Sequence, residues 1–328
     1  MGMGRPTVGC TRQGALRRLC EDRKDTTMRA DYHVHTAFSD DSDYPLDDVC
    51  RDACRLGLDE ICITDHVDYG VKNDVSPLDA AGTLYDESYM DDPAHQARFI
   101  EGEMVSNADY QRLFPAIAAA RDKWGSPDHD WWGGTLTVRC GIELGVQRHR
   151  IAQNQHLFDA RRGELDFVLM SCHQIDDLEF WNQEYQVGKT PEEVTDNYYA
   201  EILACEQGFK DYSVLAHLNA IQRDNKDPRP FAAYRDQVAA CLEQAIADGK
   251  GIEVNTSSVR YGLPYWQPSR EILELYRDLG GTIVTIGSDS HKPEHLGSYI
   301  TQAQELLRAL GFGGFYTFDH MEPQLHRW

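Results

Sequence analysis

The chain has 328 residues, with 32 Lys and Arg against 54 Asp and Glu, a formal net charge of −22. A surface that acidic repels phosphate backbones and speaks against a general nucleic-acid-binding role. With 41% hydrophobic residues and six Trp the chain can bury a sizeable core, which excludes a disordered polymer, and no apolar run approaches the length that crosses a bilayer.

Residues 1–27 carry six Arg or Lys against three acids, with Gly2, Gly4, Gly9 and Gly14 and no apolar segment. This is not a secretory signal. It reads as a disordered extension, or a misassigned start, ahead of one domain over residues 28–328, since Met28 lies just before the first predicted strand. The nine Cys form no C-x-x-C pair, and several sit in apolar runs. Free thiols in a reducing cytoplasm are expected.

From Asp31 onward short β-rich runs alternate with longer amphipathic stretches. Strands are predicted over residues 31–35, 60–64, 135–143, 166–172, 212–217, 251–255 and 282–286, with Val, Ile and Leu on both faces. That pattern fits parallel strands covered by helices. Between the first two strands, Leu46, Val49, Cys50, Ala53 and Cys54 form a helical stripe, with Gly57 as its stop. Residues 67–134 exceed what one helix needs. They read as an insertion near the mouth, either a substrate lid or a peripheral decoration, with an acidic stretch at 84–92 and a helical pattern around 110–124. Between the sixth and seventh strands, Ile272, Leu273, Tyr276 and Leu279 repeat the helical stripe, and Gly280-Gly281 ends it. Seven strand–helix units in series point to a parallel α/β barrel of the TIM-like kind rather than an open sheet. Residues 312–328 read as a final strand or a tail that closes the barrel.

Almost every predicted strand ends in a metal-binding side chain. The first ends in His33-Val-His35, a spacing that puts both imidazoles on one face of a strand, followed by Asp41 in an acidic turn. The others end in Asp65-His66, Glu143, His173, His217 and Asp289-Ser-His291. Taken singly, each is more simply a helix cap or a packed histidine. Together, at the converging C-terminal ends of barrel strands, they form a concentration of buried polar groups that an ion must satisfy. Imidazole and carboxylate without thiolate suit zinc, manganese or iron.

In this order, His33-Val-His35-Thr with Ser39-Asp-Asp41-Ser, Thr64-Asp-His66, Gly141-Ile-Glu143, Ser171-Cys-His173, Ala216-His217-Leu and Gly287-Ser-Asp289-Ser-His291 resemble the motifs of the PHP superfamily. Ile252-Glu-Val-Asn-Thr256 and Arg260-Tyr-Gly262 are similar to its histidinol-phosphate phosphatases. The resemblance implies a distorted seven-stranded (β/α) barrel and three divalent ions. His33, His35, Glu143 and Asp289 would hold one, Glu143 with His173 and His217 the second, and Asp41, His66 and His291 the third, Asp40 competing with Asp41. Glu143, Asp289 and His291 would form the catalytic core, with a water bridging two ions as the nucleophile.

Arg223 and Arg260 are the candidates for phosphate binding. Where relatives commonly have Arg, five residues after the equivalent of His217, this chain has Gln222, and Arg223 follows. Asp65 and Asp68 either orient neighbours or cap helices. The leading reading is a cytoplasmic phosphomonoesterase for L-histidinol phosphate. A phosphoesterase for another small metabolite, a nuclease and a non-catalytic metal-binding module are the alternatives.

Overall fold

The computed structural model describes residues 27–74, 99–100, 103–126 and 135–328. Residues 1–26 of the expected extension and the acidic stretch at 84–92 lie outside the described residues, and so does much of the expected lid.

Seven parallel strands pair in chain order: β1 (Ala30–Val34), β2 (Glu60–Ile63), β3 (Thr137–Gly145), β4 (Phe167–Ser171), β5 (Val214–Leu215), β6 (Gly251–Asn255) and β7 (Val284–Gly287). Apart from the first residues of β3 they are almost wholly buried, as parallel strands covered by helices must be. A two-residue strand, His66–Val67, follows β2 after a break and pairs with β3 at Glu143 and Leu144. The seam between β7 and β1 is nearly closed. Val34 faces Ser290 across it, the His35 N–H donates to the Ser290 carbonyl at 2.8 Å, and the Ser290 N–H donates to His33 O at 3.2 Å. Below this bridge the buried Asp31 carboxylate accepts from Ser288 N (2.8 Å), Ser288 Oγ (2.5 Å) and Gly297 N (2.9 Å), tying the two ends of the sheet together.

Among the described residues, seven helices flank the strands: α1 (Leu46–Leu56), α2 (Tyr110–Gly125), α3 (Ile151–Arg161), α4 (Pro191–Gly208), α5 (Arg235–Ala247), α6 (Arg270–Asp278) and α7 (Ile300–Ala309). Helix α1 buries Val49, Cys50 and Ala53 and stops at Gly57, whose φ of 69° is the left-handed conformation that glycine adopts without penalty. Helix α4 starts with a reciprocal cap: the Glu193 N–H donates to Thr190 Oγ1 and the Thr190 N–H to the Glu193 carboxylate, with Pro191 in the first turn. Within the insertion, α2 lies where the helical pattern indicates, and its Arg121 donates to Val138 O and to Asp166, fixing it to the barrel wall.

The C-terminal segment adds no eighth barrel strand. It folds into a separate antiparallel hairpin, β8 (Gly314–Asp319) and β9 (Glu322–Arg327), joined through His320 and Met321, both at positive φ as a two-residue hairpin turn requires. The hairpin caps the N-terminal end of the strands. The Tyr32 hydroxyl donates to Phe318 O at 3.0 Å and accepts from Phe318 N at 2.8 Å, and the Phe318 ring packs 5.1 Å from Phe167. Tyr32→Phe should therefore destabilise the fold by about 1–3 kcal/mol, because it strands a buried backbone pair and the Glu60 carboxylate that also faces the hydroxyl. Urea unfolding checks this, and a variant with unchanged midpoint would show that the hairpin is not anchored there.

Candidate metal centre

All nine candidate ligands converge at the C-terminal ends of the strands, and Glu143 lies at their centre. Its Oε1 is 2.8 Å from His217 Nε2 and 3.1 Å from His173 Nε2, and it accepts from Ser171 Oγ at 2.7 Å. Its Oε2 lies 3.0 Å from His33 Nε2, 3.1 Å from His66 Nδ1 and 3.4 Å from His35 Nε2. One buried carboxylate thus faces five imidazoles, two on one oxygen and three on the other. Burial alone would raise the pKa of Glu143, but the positive charge of His33, His66 and His173 holds it well below the usual carboxylate range.

Asp289 completes the inner group, its Oδ1 lying 3.7 Å from His33 Nε2 and 3.5 Å from His35 Nε2. Asp289 and His217 both take positive φ, 55° and 24°, which non-glycine residues seldom adopt. The strain falls at the ends of β7 and β5, where the chain must turn sharply and still aim a side chain into the mouth. The outer group is formed by Asp41, whose Oδ2 is 3.4 Å from His66 Nε2 and 3.1 Å from His291 Nε2. Asp40 points elsewhere: Lys72 Nζ and the Ser106 N–H donate to it at 2.7 and 2.9 Å. Asp41 is therefore the carboxylate that meets the imidazoles.

The rings are held from behind. His33 Nδ1–H donates to Glu253 Oε1 at 2.6 Å, and the second oxygen of Glu253 accepts the His217 N–H at 2.8 Å. His173 Nδ1–H donates to Asp68 at 2.8 Å, which leaves Nε2 facing Glu143. Although burial opposes it, the charge of His173 together with Lys72 and His66 lowers the Asp68 pKa to about 2. Asp65 does something different. It accepts from Thr36 N, Thr36 Oγ1 and Ser39 Oγ, and so pins the loop that carries Asp41.

Of the two arginines, Arg223 lines the cavity above the cluster. Its guanidinium donates to Gln267 Oε1 (2.6 Å) and Ser257 Oγ (3.0 Å), lies 3.5 Å from Asp289 Oδ2 and stacks on Tyr261. Arg260 sits behind Asp289, donating to the carbonyls of Ser288 and Asp289, and is absent from the cavity lining. Glu253 and Lys72 are the residues that sequence reasoning missed. A charged residue within a strand buried at every position was the signal for Glu253.

The donors fit divalent ions. Ligand atoms within 4.8 Å of one another occur in four overlapping groups at this mouth: His35, Asp41, His66 and His291; His33, Glu143 and His217; His33, His35 and Asp289; and His66, Asp68 and His173. Among the described residues, the buried His35 Nε2, His66 Nδ1 and His217 Nδ1 find no hydrogen-bond partner, and such atoms call for one. At the opposite barrel end Asp166, Asp319 and His320 also cluster, but Arg121 and Arg139 already neutralise them. Gly287 shows how tightly the site is built: a Cβ there would lie 2.3 Å from His33 Cβ and 2.4 Å from Glu253 Oε1. Gly287→Ala should destabilise the fold by roughly 1–3 kcal/mol and weaken metal retention, measurable as the metal content left after dialysis. Full retention would mean that His33 tolerates displacement.

Comparison with known proteins places these residues in a family. The PHP domain profile matches residues 31–257. A probable histidinol-phosphatase of Thermotoga maritima is 25% identical over 287 residues, 86% of this chain and 92% of the relative. The histidinol-phosphatase of Lactococcus lactis subsp. lactis is 26% identical over 305 residues, 90% of this chain and 96% of the relative. Among solved structures, histidinol phosphate phosphatase from Lactococcus lactis complexed with zinc, L-histidinol and phosphate aligns with a TM-score of 0.70 at 24% identity, covering 90% of this chain and 98% of that one. A putative histidinol phosphatase from Listeria monocytogenes aligns at 0.61 and 16% identity, covering 83% and 99%. The profile match spans β1 to β6 and includes seven of the nine converging side chains, and the chain belongs to the PHP domain family.

Proposed function

We propose that this chain is a metal-dependent phosphomonoesterase that hydrolyses L-histidinol phosphate to L-histidinol and phosphate. The observation that carries the chemistry is the single carboxylate, Glu143, set among five imidazoles at a barrel mouth. The choice of substrate is supported by relatives named histidinol-phosphatase that align over about nine-tenths of the chain. We take the cytoplasm as its compartment, because the seven described cysteines are all free thiols.

Three ions are assigned. His33, His35, Glu143 and Asp289 would hold the first, Glu143, His173 and His217 the second, and Asp41, His66 and His291 the third. Zinc, manganese or iron bound there would neutralise phosphate oxygens and lower the pKa of a water enough for attack at neutral pH. The protein's own part is positional. Glu253 and Asp68 fix the tautomers of His33 and His173 so that each presents Nε2 to the mouth. Arg223, clamped by Gln267 and Ser257, presents a guanidinium of fixed orientation to the non-bridging phosphate oxygens. Arg260 holds the Asp289 backbone in its strained conformation.

The test is phosphate release from L-histidinol phosphate beside p-nitrophenyl phosphate, on protein reloaded with manganese or zinc. A preference of about 100-fold or more in kcat/KM for L-histidinol phosphate is expected. Weak and equal turnover of both would retain the metallophosphatase and remove the histidinol substrate. Turnover of oligonucleotides in preference to either would favour a nuclease, against the charge of −22.

A further inference from the structure

Taking the phosphatase reading as its base, we propose that Asp224 is a specificity residue that binds an ammonium group on the carbon next to the one esterified to phosphate. The substrate class it selects is then the 2-aminoalkyl phosphates.

Asp224 directly follows the 3-10 turn Ala220–Arg223, and both Arg223 and Asp224 line the cavity above the metal centre. Its backbone is pinned on two sides: the Asp224 N–H donates to Ile221 O at 3.2 Å, and Asp224 O accepts from Gln183 Nε2 at 3.0 Å. The carboxylate is half-buried. Among the described residues it accepts no hydrogen bond and enters no ion pair, whereas the other acids of the cavity are engaged. Asp68 pairs with His173, Glu179 accepts from Asn182, and Asp41, Glu143 and Asp289 face imidazoles. Burial raises the Asp224 pKa, and Arg223 and His173 pull only partly against it. A half-buried carboxylate of this kind gains most from a cation brought by a ligand. Phe180, Trp181 and Tyr261 share the cavity and would shield such a pair from water.

The shared cavity suits the substrate class. In a 2-aminoalkyl phosphate, phosphorus and nitrogen are separated by three atoms, roughly 4–5 Å, and Arg223 and Asp224 line one cavity from consecutive positions. Arg223 on the phosphate and Asp224 on the amine would therefore read the two charges of one small ligand from adjacent positions. L-histidinol phosphate carries this arrangement, and so does the much smaller 2-aminoethyl phosphate.

The experiment compares 2-aminoethyl phosphate with ethyl phosphate on the metal-loaded full chain, in wild type and in Asp224→Asn. The wild type should favour the amine by about 10- to 100-fold in kcat/KM, chiefly through KM. In Asp224→Asn this ratio should fall to near 1, and Asp224→Glu, which keeps the charge, should recover part of it. A ratio that is unchanged in Asp224→Asn, or a parallel fall for both esters, overturns the assignment. If wild type ignores L-histidinol phosphate yet still prefers the small amine, the histidinol reading fails while the role of Asp224 stands. If no phosphate ester is hydrolysed, both fall together.

Discussion

Glu143→Gln is expected to lower kcat/KM for a phosphomonoester by about 10³-fold or more, whereas Asp41→Asn costs only about 10- to 100-fold. The two carboxylates occupy unequal places. Glu143 is buried, and its two oxygens face separate sets of imidazoles, so in the proposed assignment one side chain would serve two ions. Glutamine keeps the size and one acceptor, but it carries no charge and cannot present two equivalent oxygens. Asp41 lies at the rim with 46% of its side chain exposed, and it faces only His66 and His291. With three ions held as proposed, amide substitution there would weaken one ion site and leave the other two intact. Steady-state kinetics with elemental analysis of retained metal would separate these cases. Near wild-type turnover in Glu143→Gln would sink the shared-ligand assignment, and equal losses in both variants would remove the ranking between inner and outer sites.

What the sequence discloses about this centre depends on where each residue sits along its strand. His33, His35, His173, His217 and Asp289 lie at or just beyond strand ends and Glu143 two residues before one, and in a parallel barrel those ends share one mouth, so order and residue type suffice to find them. Glu253 is different. Like Glu143 it lies two residues before the end of its strand, but its task of holding His33 Nδ1 depends on barrel closure between residues 220 positions apart. Lys72 and Asp68 reach the site from the start of an insertion whose path no periodicity encodes. Charge type alone could not divide Arg223 from Arg260, since a short helical turn aims one at the cavity and the other at carbonyls behind Asp289. The terminal hairpin was half legible. Phe315 and Phe318 mark an apolar strand, but its pairing with its own successor rather than with β7 follows from the seam already bridged at Val34 and Ser290.

Metal loading should release protons and should stabilise the fold more strongly as the pH rises. Without ions, burial works against charge on His35, but Asp289 and Glu143 outweigh it and raise the pKa to about 9. Asp68 and Glu143 likewise raise His173 to about 10, and His33 is raised by Glu143, Glu253 and Asp289. His66 and His217 are instead lowered, chiefly by burial. The unfolded chain returns every imidazole to about 6.5. Below that pH both states hold the proton, and the imidazolium–carboxylate pairing contributes fully to folding. As the pH climbs through 9 and 10 the folded state loses those protons and the contribution disappears, so the metal-free chain weakens from pH 6.5 upward. Ligation requires the same nitrogens to be neutral, so at pH 7 loading must displace about two to three protons, and apparent affinity rises with pH. The gap in Tm between loaded and metal-free protein should then widen from a few degrees at pH 6 to about 10 °C or more at pH 9. Thermal unfolding with and without a chelator, and manganese titration calorimetry in buffers of contrasting ionisation enthalpy, measure both effects. A gap that stays flat with pH, with no proton released, would mean that the imidazoles are already neutral before any ion arrives and that Glu143 and Asp289 do not hold their charge against burial.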